Sequence, residues 1–249
     1  MKNLEMNDWI VLNNIIYKIY TTSDSFNMRE QLLGLLKMVV DFDSADFHLS
    51  DDDGSKKLVK PVMYNFDDNV SAIYDEIDYS RGIMYSGKSI VYRETDIISE
   101  EVRLESEYYK KVYVPNNWYY SLQMVLAMNK EFLGVITFYR TIGKENFQYD
   151  DIFILDMLKD HLSYRLYEDK KEEKRDEEKL SILEAAEKFQ LTKREHTILQ
   201  LLMNGEESDW ICDQISISVN TLKKHILNIY RKLGISSRVQ MFKLIKDYE

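Results

Sequence analysis

Apolar positions in the first forty residues fall into two helical stripes. Trp9, Leu12, Ile15, Ile16 and Ile19 recur at intervals of three and four, and Met28, Leu32, Leu35, Leu36 and Val39 do the same after Ser25, a residue type suited to an N-cap. The period then shortens to that of strands. Residues 45–49 and 58–64 flank the acidic turn Asp51-Asp52-Asp53-Gly54-Ser55 and predict a hairpin, with Pro61 placing its strand toward an edge. A helix over residues 70–77, a strand over 89–92 and a helix from Ser99 to Lys111 follow. Residues 121–128 (SLQMVLAM) and 132–140 (FLGVITFYR) carry the clearest β pattern, and Asn129-Lys130-Glu131 between them suits a three-residue hairpin. From Asp150 the helical period returns, with Ile154, Leu155, Leu158 and Leu162 on one face.

Residues 168–179 read EDKKEEKRDEEK, an unbroken run of charge that no core can bury. Alternating signs and strong helix formers predict a solvated connecting helix. Leu180, Leu183 and Ala186 then resume an apolar stripe, so one helix from 150 to 188 is expected, about 58 Å long at 1.5 Å per residue. The chain therefore divides into an α/β (α+β) unit with an antiparallel sheet over 1–166, a charged helical linker over 167–188, and an all-α unit over 189–249.

Composition agrees with two folded units. The 249 residues are 45% hydrophobic and 31% charged, with 8 Gly and 2 Pro, which excludes collagen-like and Pro/Gly-rich disordered classes. Cys212 has no partner in the chain for a disulfide, the amino terminus has no signal-peptide pattern, and no apolar run reaches the roughly 18 residues of a membrane span. A cytoplasmic protein without membrane attachment is expected. The net charge of −10 argues against nucleic acid until it is divided. From Leu191 onward nine Lys and Arg face seven Asp and Glu, whereas the upstream residues hold 24 against 36. No carboxylate occurs between Asp213 and Asp247, a gap that contains Lys223, Lys224, Arg231, Lys232, Arg238, Lys243 and Lys246. A local cationic face on an acidic chain is the footprint of a nucleic-acid reader.

The text of that region sharpens the reading. Thr192 caps a first helix ending at Asn204-Gly205, Ser208 caps a second that turns Ile211 and Ile215 inward, and Ser218 caps a third. In the third, Leu222, Ile226, Ile229 and Leu233 point to a core while Asn220, Lys223, Lys224, Leu227 and Arg231 point out, toward what a major groove offers. Leu191, Thr192, Arg194, Glu195, Gly205, Ser218, Thr221, Lys223, His225, Lys232, Leu233, Gly234 and Arg238 stand in register with the LuxR-type (NarL/FixJ-like) helix-turn-helix, which this stretch resembles over about 58 residues. The resemblance implies a transcription regulator of a homodimeric, bacterial kind that binds double-stranded operator DNA and, if an activator, meets RNA polymerase. It implies that Lys223 and Lys224 face the groove, that Thr221, His225 and Lys232 hold phosphates, and that Arg194 and Glu195 form a structural pair; by their charge and place Lys232 and Arg238 are also suited to phosphates. Asp209, Trp210 and Leu227 depart from the family's usual residues and bear on sequence preference.

The upstream elements resemble a GAF/PAS-like sensor, which implies a small organic effector and no resident cofactor. Tyr85, Tyr92, Trp118, Tyr120 and Gln123 are the candidate lining of its pocket. An acyl-homoserine-lactone sensor is an alternative, although that family's gripping residues are not evident around residues 74–85. Gly82 to Ser89 fits GxxxxGK[ST], the basis of a second alternative, a nucleotide-binding enzyme with a DNA-binding tail. A phosphate cradle follows a buried strand and opens a helix, whereas here polar residues precede and a strand-like Ile90-Val91-Tyr92 follows. No catalytic constellation and no metal-ligand spacing is found, and no enzyme is expected.

Overall fold

The computed structural model describes residues 4–51, 57–67 and 78–246, so residues 52–55 of the acidic turn and the helix expected over 70–77 lie outside the described residues. The chain forms two compact units, Met1–Asp169 and Lys170–Glu249.

In the first unit, α1 (Met6–Thr21) and α2 (Ser25–Leu36) precede β1 (Ser44–Ser50) and β2 (Leu58–Tyr64), which pair antiparallel from Ala45–Tyr64 to Ser50–Leu58. A short α3 (Arg81–Met84) leads into β3 (Ile90–Arg93), and β4 (Trp118–Met128) and β5 (Glu131–Thr141) close the sheet in the order β2-β1-β5-β4-β3, antiparallel throughout. The expected hairpin is present with a tighter turn. Met128 pairs with Glu131, so Asn129 and Lys130 alone make the connection, both at positive φ as a type I′ turn requires.

One sheet face packs on helices. Phe47, Leu122, Met124, Ile136 and Phe138 meet Leu12, Ile15, Ile19, Leu32 and Leu36 of the first two helices and Leu155, Leu158 and Leu162 of α5 (Tyr149–Glu178) in one buried cluster. The stripe of α1 is narrower than its spacing suggests: Trp9 is 52% exposed. The N-cap of α2 is Asp24, not Ser25, because the Asp24 carboxylate accepts the Asn27 N–H at 2.7 Å. Gly134 of β5 faces β1 so closely that a Cβ there would sit 2.6 Å from the His48 carbonyl oxygen. Gly134→Ala is expected to destabilise this unit by about 1–3 kcal/mol through forced strand separation, checked by the denaturation midpoint.

The helix expected from Ser99 to Lys111 is interrupted. α4 (Glu100–Glu105) ends where the Ser106 hydroxyl donates to the Arg103 carbonyl and accepts the Tyr109 N–H, and a wide turn over Tyr109–Tyr113 follows. This segment supplies Tyr108, Tyr109 and Tyr113 to the second sheet face.

The expected single helix to residue 188 is also broken. α5 stops at Glu178, and Leu180 joins Ile245 in a parallel bridge, with Leu180 N–H donating to Leu244 and Lys246 N–H donating to Leu180. The backbone at 180 is committed to that pairing, and Ser181 with Glu184 forms a new capping box for α6 (Ile182–Lys188). α7 (Lys193–Met203), α8 (Ser208–Ile215), α9 (Val219–Leu233) and α10 (Arg238–Leu244) complete the second unit around Ile198, Leu199, Ile211, Leu222, Ile229 and Met241.

Candidate functional site

Helix endings set the geometry of the second unit. α6, α7, α8 and α9 each close with an N–H to a carbonyl five residues back: Leu191 to Ala186, Glu206 to Leu201, Ile217 to Cys212 and Ile235 to Tyr230. Each ending passes through one left-handed residue, Gln190, Gly205, Ser216 and Gly234 in turn. The turn between α8 and α9 is therefore short, Ser216 and Ile217 followed by Ser218, whose hydroxyl accepts the Thr221 N–H at 3.2 Å. Thr192 caps α7 in a box with Glu195. The N-cap of α8 is Glu207, without a side-chain bond, in place of Ser208, which is the first residue of the helix.

α9 is divided cleanly. Leu222, Ile229 and Leu233 are buried and Ile226 packs against the same core, while Ser218, Asn220, Thr221, Lys223, Lys224, Leu227 and Arg231 are exposed. Leu227 is 67% exposed, an apolar side chain set among cations. His225 is half-buried beside them. Exposed Arg238, at the start of α10, donates one N–H to the Leu202 carbonyl at 2.9 Å and lies over Phe242.

Lys232 has a second duty. Its ammonium donates to Glu195 at 2.6 Å and to the Gln190 carbonyl at 2.9 Å, tying α9 to the start of α7. Burial opposes ionisation of Glu195, but the bonds from Lys232 and from the Thr192 amide and hydroxyl outweigh it and hold the carboxyl below its ordinary range. The implied Arg194–Glu195 pairing does not form; Arg194 donates to the Ile215 carbonyl, bracing the end of α8.

In the first unit, the candidate pocket residues separate. Tyr92 and Gln123 meet on the second sheet face, where the tyrosine hydroxyl donates to the Gln123 amide oxygen and the Ser80 hydroxyl reaches the same atom at 3.4 Å. Trp118 is stacked on Tyr139 at 3.7 Å between ring centres and is packing. Tyr85 sits edge-on to Phe132, and Tyr120 packs with the cluster on the opposite, helical face. Sequence reasoning missed the charged groups that accompany Tyr92 and Gln123. Asp46 and His48 are buried, with the His48 ring nitrogen 3.1 Å from Asp46 and the Tyr139 hydroxyl donating to Asp46 at 2.8 Å. Glu94 is buried and bonded by Tyr79 and by Arg103 at 3.3 Å, and burial raises its carboxyl above the usual range. The Arg103 guanidinium lies 4.9–5.0 Å from the rings of Tyr119 and Tyr109. The available signal was the alternation Ala45-Asp46-Phe47-His48, a carboxylate and an imidazole on one side of a strand whose other side is apolar.

The GxxxxGKS stretch is built for packing. Ser89 donates to the Ala127 carbonyl at 2.7 Å and accepts its N–H at 2.9 Å, Gly87 lies where a Cβ would be 2.9 Å from the Lys130 carbonyl oxygen, and a strand, β3, follows. The helix amino end that a phosphate cradle needs does not follow it.

Residues 189–245 match the family described as bacterial regulatory proteins, luxR family. The HTH-type transcriptional regulator MalT of Yersinia pestis (strain Pestoides F) is 40% identical over 48 residues, which are 19% of this chain and 5% of MalT. The matched stretch thus spans about 5% of the length of such curated relatives. Among solved structures, the chromophore-binding domain of the bacteriophytochrome RpBphP3 from R. palustris is similar over 70% of this chain and 64% of its own, at 10% identity and a TM-score of 0.51. The GAF domain from an Acinetobacter phosphoenolpyruvate-protein phosphotransferase covers 66% of this chain and 95% of its own, at 11% identity and a TM-score of 0.49. Residues 189–245 of the C-terminal unit accordingly form a luxR-family domain, carried behind an N-terminal unit whose fold is similar to that of the bacteriophytochrome chromophore-binding domain.

Proposed function

We propose that the chain is a cytoplasmic, ligand-responsive transcription regulator that binds operator DNA as a homodimer and acts as an activator through RNA polymerase. The observation that carries the DNA reading is the exposed face of α9, where Asn220, Lys223, Lys224 and Arg231 stand clear of solvent-shielding neighbours in a stretch without carboxylates. A short turn holds this helix against α8, the arrangement by which such a unit lays its third helix in a major groove. Lys223 and Lys224 then face bases, while Ser218, Thr221, His225 and Arg238 lie at the rim for phosphates. Lys232 acts beneath this surface as the tie to Glu195. Consistent with a cytoplasmic setting, no helix among the described residues is long and apolar enough to cross a membrane. No enzymatic role is assigned, and the N-terminal unit is read as the sensor.

One helix of this size reads a short half-site, so two copies are expected on half-sites about one turn, ~10 bp, apart. Selection of duplexes from a random pool with the full-length chain checks both points. Recovery of paired half-sites bound two chains per duplex is the expected result; a single unrepeated site held by one chain would remove the dimer, and no enrichment would remove the operator reading.

A further inference from the structure

The second sheet face holds a narrow cleft walled by Asp46, Asp78, Thr137, Tyr108, Met84 and Val135. Two carboxylates thus share one small space, and both are buried, Asp46 fully and Asp78 to 6% exposure. Their surroundings differ. Asp46 is held by the Tyr139 hydroxyl and the His48 ring. Asp78 has bonds on one oxygen only, where Oδ1 accepts the Ser80 amide at 2.7 Å and the Ser80 hydroxyl at 2.6 Å. Its Oδ2 has no hydrogen-bond partner among the described residues. Thr137, 5% exposed, is in the same position: no side-chain hydrogen bond engages its hydroxyl among the described residues.

Buried carboxylates demand a counter-charge. Buried Arg103 is committed to Glu94 and to the Tyr119 carbonyl, and buried Arg29 donates to the Phe47 and Lys60 carbonyls. Half-buried Arg81 favours the charged form of Asp78 through space, yet burial, with Asp46 adding to it, still leaves the Asp78 carboxyl above its ordinary range. The remaining walls, Leu58, Met84, Val135 and the Tyr108 ring, are apolar or aromatic and offer nothing to an anion. No group of three His, Cys, Asp or Glu among the described residues is placed to hold a metal ion.

We propose that this cleft takes a small organic cation, a primary ammonium on a short apolar or aromatic body, with the ammonium between Asp46 and Asp78 and the Thr137 hydroxyl as a third acceptor. The proposal deepens the sensor reading above and rests on it. An ammonium offers three donors, which match Asp78 Oδ2, Asp46 and Thr137, and its carbon body meets Met84, Val135 and the face of Tyr108, where a cation is also attracted to the ring. The walls stand too close for a water molecule, so the ligand enters by parting Tyr108 from the sheet, and binding is then coupled to the segment that carries that tyrosine.

The test uses the full-length chain and calorimetric titration with 2-phenylethylamine and hexylamine, beside 2-phenylethanol as neutral isostere, 3-phenylpropanoate as anion, and MgCl2. Saturable binding of at least one amine, at least tenfold tighter than the alcohol, with no uptake of the carboxylate or magnesium, is expected. Asp78→Asn should weaken amine binding tenfold or more, and Thr137→Val, which keeps the shape of the side chain, about threefold. Equal affinity for amine and alcohol, unchanged amine affinity in a folded Asp78→Asn chain, or failure of both amines to bind would overturn the proposal. Preferred binding of the carboxylate would overturn the cation while sparing a ligand-responsive sensor. Selection of DNA sites, scored separately, decides the regulator reading whichever way the titrations fall.

Discussion

A chain carrying Lys223→Ala and Lys224→Ala is expected to bind its selected duplex at least about thirtyfold more weakly than the unaltered chain, with a shallower dependence on salt. Each lysine at a base edge or phosphate is worth about 1–3 kcal/mol, and each released counterion contributes about one to the slope of affinity against salt. Both side chains are exposed on α9 and neither takes part in the core, so the loss should come without a change in melting temperature. Fluorescence anisotropy across a salt series, with circular dichroism melts of the same samples, separates the two quantities. Equal affinity at equal salt would mean that DNA meets another surface. Leu227→Gln offers a finer reading: general affinity should hold while the preferred base at that position changes, because an exposed Leu contacts methyl groups and Gln hydrogen-bonds to adenine.

Lys232→Met is expected to cost the second unit about 2–4 kcal/mol, a drop in its melting temperature of about 10 °C or more. The substitution strands the Glu195 carboxylate, which is 6% exposed, without its cation; the figure sits below that for a fully buried pair because Lys232 is 28% exposed. Glu195 also gives this unit an acid limit. Its carboxyl titrates below the ordinary range when folded, so the stabilisation is complete above the unfolded carboxyl's pKa and disappears as pH falls through the folded one. Melting temperatures from neutral to strongly acidic pH should fall less steeply in Glu195→Gln than in the unaltered chain. Identical profiles would remove the ion pair as the source of acid sensitivity.

The contrast between α9 and the first unit shows what a sequence discloses. The helix α9 was legible because three independent signals coincide there: a cap at Ser218, a 3.6-residue apolar period through Leu222, Ile229 and Leu233, and an acid-free run of cations. Two of the four left-handed helix endings were also legible, since Gly205 and Gly234 announce them. Gln190 and Ser216 adopt the same conformation without any local marker; Lys232 donates to the Gln190 carbonyl, and Arg194 to the Ile215 carbonyl just before Ser216. The break after α5 was illegible for a similar reason. Residues 168–182 contain no helix breaker, and what stops the helix is a backbone partner sixty-five residues away, Ile245. In the first unit the strands were readable and their faces only partly. Trp118 and Tyr120 stand two apart and would share a face in a regular strand, but an irregularity between them resets the alternation, and the two join different clusters. The acidic cleft escaped notice because Asp46 and Asp78 belong to segments that only the fold brings together.

The bridge from Leu180 to Ile245 turns the helix-turn-helix unit into a closed circuit, its point of entry lying beside its last helix as adjacent backbone. Such a circuit can be cut elsewhere. A permuted chain that joins residue 246 to residue 180 through a few glycines and opens at the exposed Gly205, where added bulk would meet nothing within 4 Å, should rebuild the same five helices. The bridge also spares the core the whole task of closing a loop of some sixty residues, an ordering penalty that grows only with the logarithm of its length. Any tension applied at residue 180 is shared between α6, which starts at Ile182, and the end of α10 at Ile245 before it reaches α9.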